Sequence, residues 1–229
     1  MLLLIDGDLI AFRCSVVHNS SPDAGLAKME TTEMLHRIIG NLNADEYRIF
    51  LSGTENFRKD IDPDYKANRK NQARPIWLED VREYLIQEWR AEVTDWYEAD
   101  DAIGINMVEN ATIVSIDKDL KQIPGRHFNF VTNTFDLIDE VQARRNFYKQ
   151  FLIGDVADNI TGVAGIGKVK AERIIGCLYD EMDMFQTVRM YYDDDERLLK
   201  NGRLLHILRS ETDEWNFPSA PSSETEPQQ

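Results

Sequence analysis

The chain has 229 residues, 42% of them hydrophobic and 29% charged, with a net charge of −15, which allows a sizeable core and excludes general disorder. Residues 2–5 are too short for a signal-peptide core and no later apolar run approaches membrane length, so a cytoplasmic protein is expected, with Cys14 and Cys177 as buried thiols in a reducing compartment. The acidity is uneven, because twelve acids face five bases from residue 174 onward while residues 58–74 carry six bases against three acids, so a polyanionic partner is not excluded by total charge.

In chain order, residues 2–5 read as a buried parallel strand ending at Asp6-Gly7-Asp8, the end of a strand where open α/β sheets bind ligands. Asp8 is expected to cap the following helix. Residues 23–41 have helical apolar spacing, and residues 47–51 read as a second buried strand. Within the basic segment, Lys66, Arg69 and Lys70 fall in one helical turn, a cluster that can face phosphate as readily as it can be a solvated face. An amphipathic helix is predicted from Pro75 toward Arg90, its aromatics in the core, then a strand over 92–94 and a helix over 99–109.

Glu98, Asp100 and Asp101 place three carboxylates within four residues at the start of that helix. Acids at a helix N-terminus are favoured by the dipole, but three together also point to cations. Residues 112–116 form the clearest strand, followed at once by Asp117-Lys118-Asp119, whose two carboxylates share a side in extended geometry and suit a hard cation. A closing strand pair is expected at 128–132 and 135–138, then a helix over 141–153. Asp155 and Asp158 add two more acids. A glycine-rich turn with Gly162, Gly165 and Gly167 opens a helix there, leaving backbone N–H groups for a phosphate with Lys168 and Lys170 beside them. Asp193 to Glu196 reads as a solvated acidic loop, and residues 211–229 as a disordered acidic tail.

Asp6-Gly7 with Phe12-Arg13, Phe57-Arg58-Lys59, Tyr65-Lys66-Ala67-Asn68-Arg69, Glu98-Ala99-Asp100-Asp101, Ser115-Ile116-Asp117-Lys118-Asp119 and the stretch from Gly154-Asp155 to Gly167 occur in an order that resembles the 5′-nuclease family. That family includes flap endonucleases, podophage 5′-to-3′ exonucleases and the 5′-nuclease domain of bacterial DNA polymerase I. The resemblance implies an α/β, PIN-like fold with a central, mainly parallel sheet flanked by helices. It implies a nuclease core over 1–138 with a gateway segment over 57–92, and a helical subdomain over 139–210 whose helix-three-turn-helix holds duplex DNA and takes K⁺ in relatives. Metal-site carboxylates are implied at Asp6, Glu98, Asp100, Asp101, Asp117, Asp119, Asp155 and Asp158. Tyr65, Lys66 and Arg69 match gateway residues at the scissile phosphate or its neighbouring nucleotide. Arg13, Lys70, Gly162, Gly165, Gly167, Lys168 and Lys170 fall in DNA-contacting motifs.

The implied chemistry is metal-dependent hydrolysis of DNA with 5′ ends or 5′ flaps, RNA–DNA hybrid being a further substrate, by a monomeric, phage-type replication enzyme. Clustered carboxylates repel one another and DNA, so two Mg²⁺ ions, or Mn²⁺ in their place, would supply the missing charge, a nucleophilic water and leaving-group stabilisation. Many relatives carry a further Asp after the second strand, where this chain has Leu51-Ser52-Gly53; either water or Glu55 replaces that ligand, or one metal binds more weakly. Asp6-Gly7-Asp8, Lys118, Asp155 and Asp158 also resemble haloacid-dehalogenase-type phosphatases, with Asp6 as nucleophile. A structure-specific DNA-binding protein that no longer cuts is the non-enzymatic alternative.

Overall fold

A computed structural model describes residues 1–219 of the chain. Six strands, β1 (Leu2–Asp6), β2 (Glu46–Ser52), β3 (Glu92–Thr94), β4 (Ala111–Val114), β5 (Gly125–Asn129) and β6 (Thr134–Ile138), make one sheet in the order β3-β2-β1-β4-β5-β6. The pairings are parallel except for β5 with β6. Around it run α1 (Gly7–Val17), α2 (Gly25–Leu42), α3 (Arg58–Ile61), α4 (Leu78–Trp89) and α5 (Ala99–Ile105). The chain then continues through α6 (Glu140–Ile153), a short hairpin of β7 (Gly154–Asp155) and β8 (Ile160–Thr161), α7 (Lys168–Ile175), α8 (Glu181–Arg189) and α9 (Asp195–Leu205).

Strand alternation divides the core. Leu3 and Ile5 pack with Ile10, Leu35, Val81 and Leu85 of α1, α2 and α4, while Leu4 faces the opposite side with Phe50, Ile103 and Ile113, as the two-residue period of a strand requires. A separate cluster, including Phe147, Phe151, Ile175, Met184 and Leu198, holds α6 to α9 together. The strand order reverses between β1 and β4, so the crevice at their carboxyl ends is a topological switch point, the usual ligand position of an open parallel sheet.

Several expectations change. Asp6, not Asp8, caps α1 by accepting from Leu9 N–H at 3.0 Å; Asp8 instead receives Ser52 N–H at 2.9 Å and pairs with Arg82 of α4. Helix α4, within the segment expected as the gateway, is part of the core through Val81, Leu85 and Trp89. Helix α5 stops at Ile105, where Gly104 lies so close to Leu208 that a Cβ would come within 2.2 Å of its carbonyl. Asp194 is no free loop acid, since it caps α9 through Glu196 and Arg197 N–H. Cys14 is buried but Cys177 is exposed. The expected tail is packed over its first part, with Trp215 buried against Phe151 and Gly202; residues 220–229 lie outside the described residues. Among those described, no helix is long and apolar enough to cross a membrane.

Candidate active site

The parallel strands deliver their acids to one end of the sheet. Asp6, at the end of β1 and 3% exposed, accepts from Leu9 N–H and, at 2.9 Å, from the Ser115 hydroxyl at the end of β4. Ser115 in turn accepts from Asp117 N–H at 2.9 Å, and Asp117 accepts from Asp119 N–H at 2.8 Å. Helix α5 brings Glu98 and Asp100, and the β7–β8 hairpin brings Asp155 and Asp158. Glu98, Asp100, Asp119, Asp155 and Asp158 line one cleft of about 40 Å³ with Tyr65 and Gln150.

Electrostatics divides this cluster in two. Burial pushes the Asp6 carboxyl up to about 7 against the pull of Leu9 N–H, with Asp8 and Asp117 adding repulsion. Asp119 also rises to about 7, through burial and then the charge of Asp117. Asp100 is raised well above the carboxylate range by burial and by Asp6, Asp117 and Glu98. Burial opposes ionisation of Glu98 too, yet Lys66 and Arg58 outweigh it and hold Glu98 below its ordinary value. One wall of the cleft is therefore neutralised by protein cations, and the other is short of positive charge.

The neutralising cations come from the gateway segment. Lys66 pairs with Glu98 and, at 3.5 Å, with Asp158, while Arg69 reaches Asp158 at 2.5 Å. The backbone is sewn to the same loop, Lys66 N–H donating to Asp158 carbonyl at 3.0 Å and Asn68 and Arg69 side chains to Val156 and Ala157 carbonyls. Tyr65, expected with Lys66 and Arg69 at the scissile phosphate or its neighbouring nucleotide, lies deeper than either of them. Its ring is buried in the helical core and its hydroxyl, 2.9 Å from both Glu98 and Asp158, holds those carboxylates.

Asp101 is also placed differently. Fully buried, it receives both terminal nitrogens of Arg58 at 2.6 and 2.8 Å, Glu98 N–H at 3.0 Å and Leu208 N–H at 3.0 Å. Those bonds engage its oxygens with protein donors and anchor α5, and Asp101 is not among the residues that line the cleft. Burial opposes its charge, but Arg58 dominates and keeps it below the usual range. Arg58 further donates to Leu204 and His206 carbonyls, tying α9 to the sheet domain. Arg58→Ala is expected to cost about 3–5 kcal/mol by leaving a buried carboxylate unpaired, measured as the urea-unfolding free energy; a loss under about 1 kcal/mol would refute the anchor.

Two contributors carried little sequence signal. Gln150 of α6 donates to Asp119 and is itself held by Gln122, and Ser115 bridges the two strand ends. Of the expected DNA-contacting residues, Lys168 and Lys170 are exposed at the start of α7, Lys170 donating to Gly165 carbonyl at 2.7 Å. Gly162 is required by close approach, since a Cβ there would lie 2.3 Å from Ile153 backbone. Arg13 and Lys70 are exposed outside the cleft lining. At Gly53, in the stretch where relatives carry a further acid, a Cβ would stand 2.1 Å from Thr94 carbonyl, so no side chain fits at that position without moving the β3 exit. Glu55 is exposed.

The donor chemistry fits a hard divalent cation, since carboxylates dominate the polar lining of the cleft, beside the Tyr65 hydroxyl and the Gln150 amide. Among the described residues, no three Asp, Glu, His or Cys side chains form a closed ligand set as they stand; Lys66, Arg69 and Gln150 occupy oxygens that an ion would use. Asp6 is buried with one hydrogen bond to each oxygen, an arrangement that gives no particular support to a phosphatase of the haloacid-dehalogenase type.

Residues 1–151 match the family model described as 5′-3′ exonuclease, N-terminal resolvase-like domain. The chain belongs to the 5′-3′ exonuclease family. It is 28% identical over an alignment 238 positions long to a 5′-3′ exonuclease of Bacillus subtilis, covering 89% of this chain and 74% of that one. It is 31% identical over 124 residues to the exonuclease of Escherichia phage T7, covering 49% of this chain and 41% of that protein. The 5′-exonuclease of T5, solved with zinc, shares the fold at a TM-score of 0.73 and 18% identity, covering 89% of this chain and 88% of that one. The chain thus spans less than half the length of some curated relatives, including 23% of a DNA polymerase I of Bacillus caldotenax. The likeness to T5 places the mainly parallel sheet and its helices in the PIN-like fold of this family.

Proposed function

We propose that this protein is a divalent-metal-dependent nuclease that hydrolyses phosphodiester bonds of DNA at 5′ ends or 5′ flaps. The observation that carries the reading is the carboxylate cleft at the switch point, closed on one side by Lys66 and Arg69. A metal-bound T5 5′-exonuclease and a T5 flap endonuclease in complex with DNA and metal ions, the latter at TM-score 0.72 and 18% identity, have the same fold.

Asp6, Glu98, Asp100, Asp117, Asp119, Asp155 and Asp158 would hold the ions, two Mg²⁺ in the simplest accounting, with Asp101 anchoring α5 behind them. Bound divalent ions supply an activated water and charge stabilisation for the leaving oxygen. Gln150 and Ser115 orient the Asp119 and Asp6 carboxylates. Lys66 and Arg69, once released from Glu98 and Asp158, offset negative charge on the phosphoryl group. Lys168, Lys170 and the turn over 162–167 grip the duplex backbone, a contact without base preference, and we assign that role to the helical subdomain over 139–210. We infer a monomer acting on DNA in the cytoplasm, that of the host if the gene is a phage's. Incubation of a 5′-labelled duplex and a 5′-flap substrate with Mg²⁺, then with EDTA, is expected to give cleavage only in the first; no metal-dependent cleavage of either substrate would sink the reading.

A further inference from the structure

Trp96 combines features that neither the core nor the metal site explains. Its side chain is 54% exposed, whereas Trp89 and Trp215 are buried in the core. Its φ is 76°, a left-handed backbone that a bulky residue rarely adopts and that persists only where its surroundings enforce it. The enforcement is visible on both sides. Thr94 hydroxyl donates to Tyr97 carbonyl at 2.6 Å, and Trp96 carbonyl accepts from Phe57 N–H at 2.9 Å. The loop is thereby fixed between β3 and the start of the gateway segment, with its indole facing solvent.

Position gives the indole a purpose. β3 runs parallel to β2, which runs parallel to β1, so residue 96 leaves the sheet at the same end as Asp6. Two strand spacings separate the exits, about 10 Å laterally, within reach of a nucleotide next to one held at the carboxylates. Gly53 and Thr54 lie between, and Lys59, exposed on α3, donates to Thr54 carbonyl at 3.1 Å. A rigid aromatic face, with Lys59 two residues along the chain from the Phe57 that bonds Trp96 carbonyl, suits an unpaired nucleotide, the ring for its base and the ammonium for its phosphate.

We propose that Trp96 is a stacking platform for an unpaired base of the strand being cut, with Lys59 meeting the adjoining phosphate. The inference rests on the nuclease reading above and names which part of the substrate this rim of the cleft selects. The test is fluorescence anisotropy in Ca²⁺ with three ligands: a 5′-flap DNA, the same flap carrying an abasic nucleotide beside the junction, and a blunt duplex. Trp96→Ala is expected to weaken flap binding on the order of tenfold, leave the blunt duplex unchanged, and lose its effect on the abasic flap; Trp96→Phe retains most of the affinity. Trp96→Gly, which suits a positive φ, keeps or raises the melting temperature. Equal affinities of wild type and Trp96→Ala for the intact flap, or equal losses for flap and duplex, would overturn the proposal. A lowered melting temperature in Trp96→Gly would assign the residue to structure instead. Failure of the nuclease reading shows separately, as wild-type protein that binds the flap without cutting it in Mg²⁺.

Discussion

Asp117→Asn combined with Asp119→Asn is expected to abolish metal-dependent cleavage, a fall on the order of 10³-fold or more in rate, while leaving DNA binding in Ca²⁺ largely intact. Both residues lie where β4 leaves the sheet; Lys118, 3.4 Å from Asp119, is exposed, and its pull is outweighed by burial and by Asp117. A second readout separates loss of ligands from loss of fold. Asp119 in the folded protein titrates near 7 because burial and Asp117 disfavour its charge, against about 4 in an unfolded chain. Folding without metal therefore takes up a proton between those values. The cost of the ionised group is absent below about pH 4, grows as pH rises toward 7, and is fully present above it. Asp119→Asn removes that cost, so in EDTA at pH 8 the variant should melt higher than wild type, and the difference should shrink toward pH 5. Unchanged cutting by the double variant would refute the assigned role, and a lower melting temperature at pH 8 would refute the account of the charge.

Lys66→Ala is expected to slow cleavage by about 10²–10³-fold, the scale of removing one preorganised donor from a developing charge, with less than a fewfold change in DNA affinity. The geometry adds a result of opposite sign. Lys66 sits on Glu98 and Asp158, the oxygens an ion would take, so without DNA the substituted protein should bind Mn²⁺ more tightly than wild type in calorimetry. Lys66 would in this sense be a resident cation, displaced toward the phosphate when metal binds. Equal losses in cutting and DNA binding would make it a simple phosphate anchor, and weaker Mn²⁺ binding would show that it does not compete.

How much of this was legible varied with the range of the interaction. Alternating and continuous apolar runs located β1, β2, β4 and the helices α2, α4, α5 and α6 because they report local burial, and the acids stood out because several of them directly follow those runs. Residues 128–132 misled at their end, since the strand begins at Gly125 and the chain turns from Phe130; a hydrophobic run does not distinguish a strand from the buried turn after it. Asp8 and Asp6 are both good caps by type, and only the path of α1 toward β2 decided that Asp6 caps while Asp8 meets Ser52 and Arg82. Gln150 was invisible, being an ordinary polar residue of an amphipathic helix until α6 is docked against Asp119.

The acidic start of α5 shows where the boundary falls. Sequence determined that Glu98, Asp100 and Asp101 stand together at a helix N-terminus, because spacing along a helix is local geometry. Their division of labour was decided by tertiary structure alone. Arg58, 43 residues away in sequence, takes Asp101 into a buried ion pair; Lys66 covers Glu98; Asp100 is left facing Asp6 and Asp117 with no basic partner close enough to prevent a raised pKa. Charge state depends on which groups the fold brings within a few ångströms and how much water it removes, and neither is written in the order of residues along the chain.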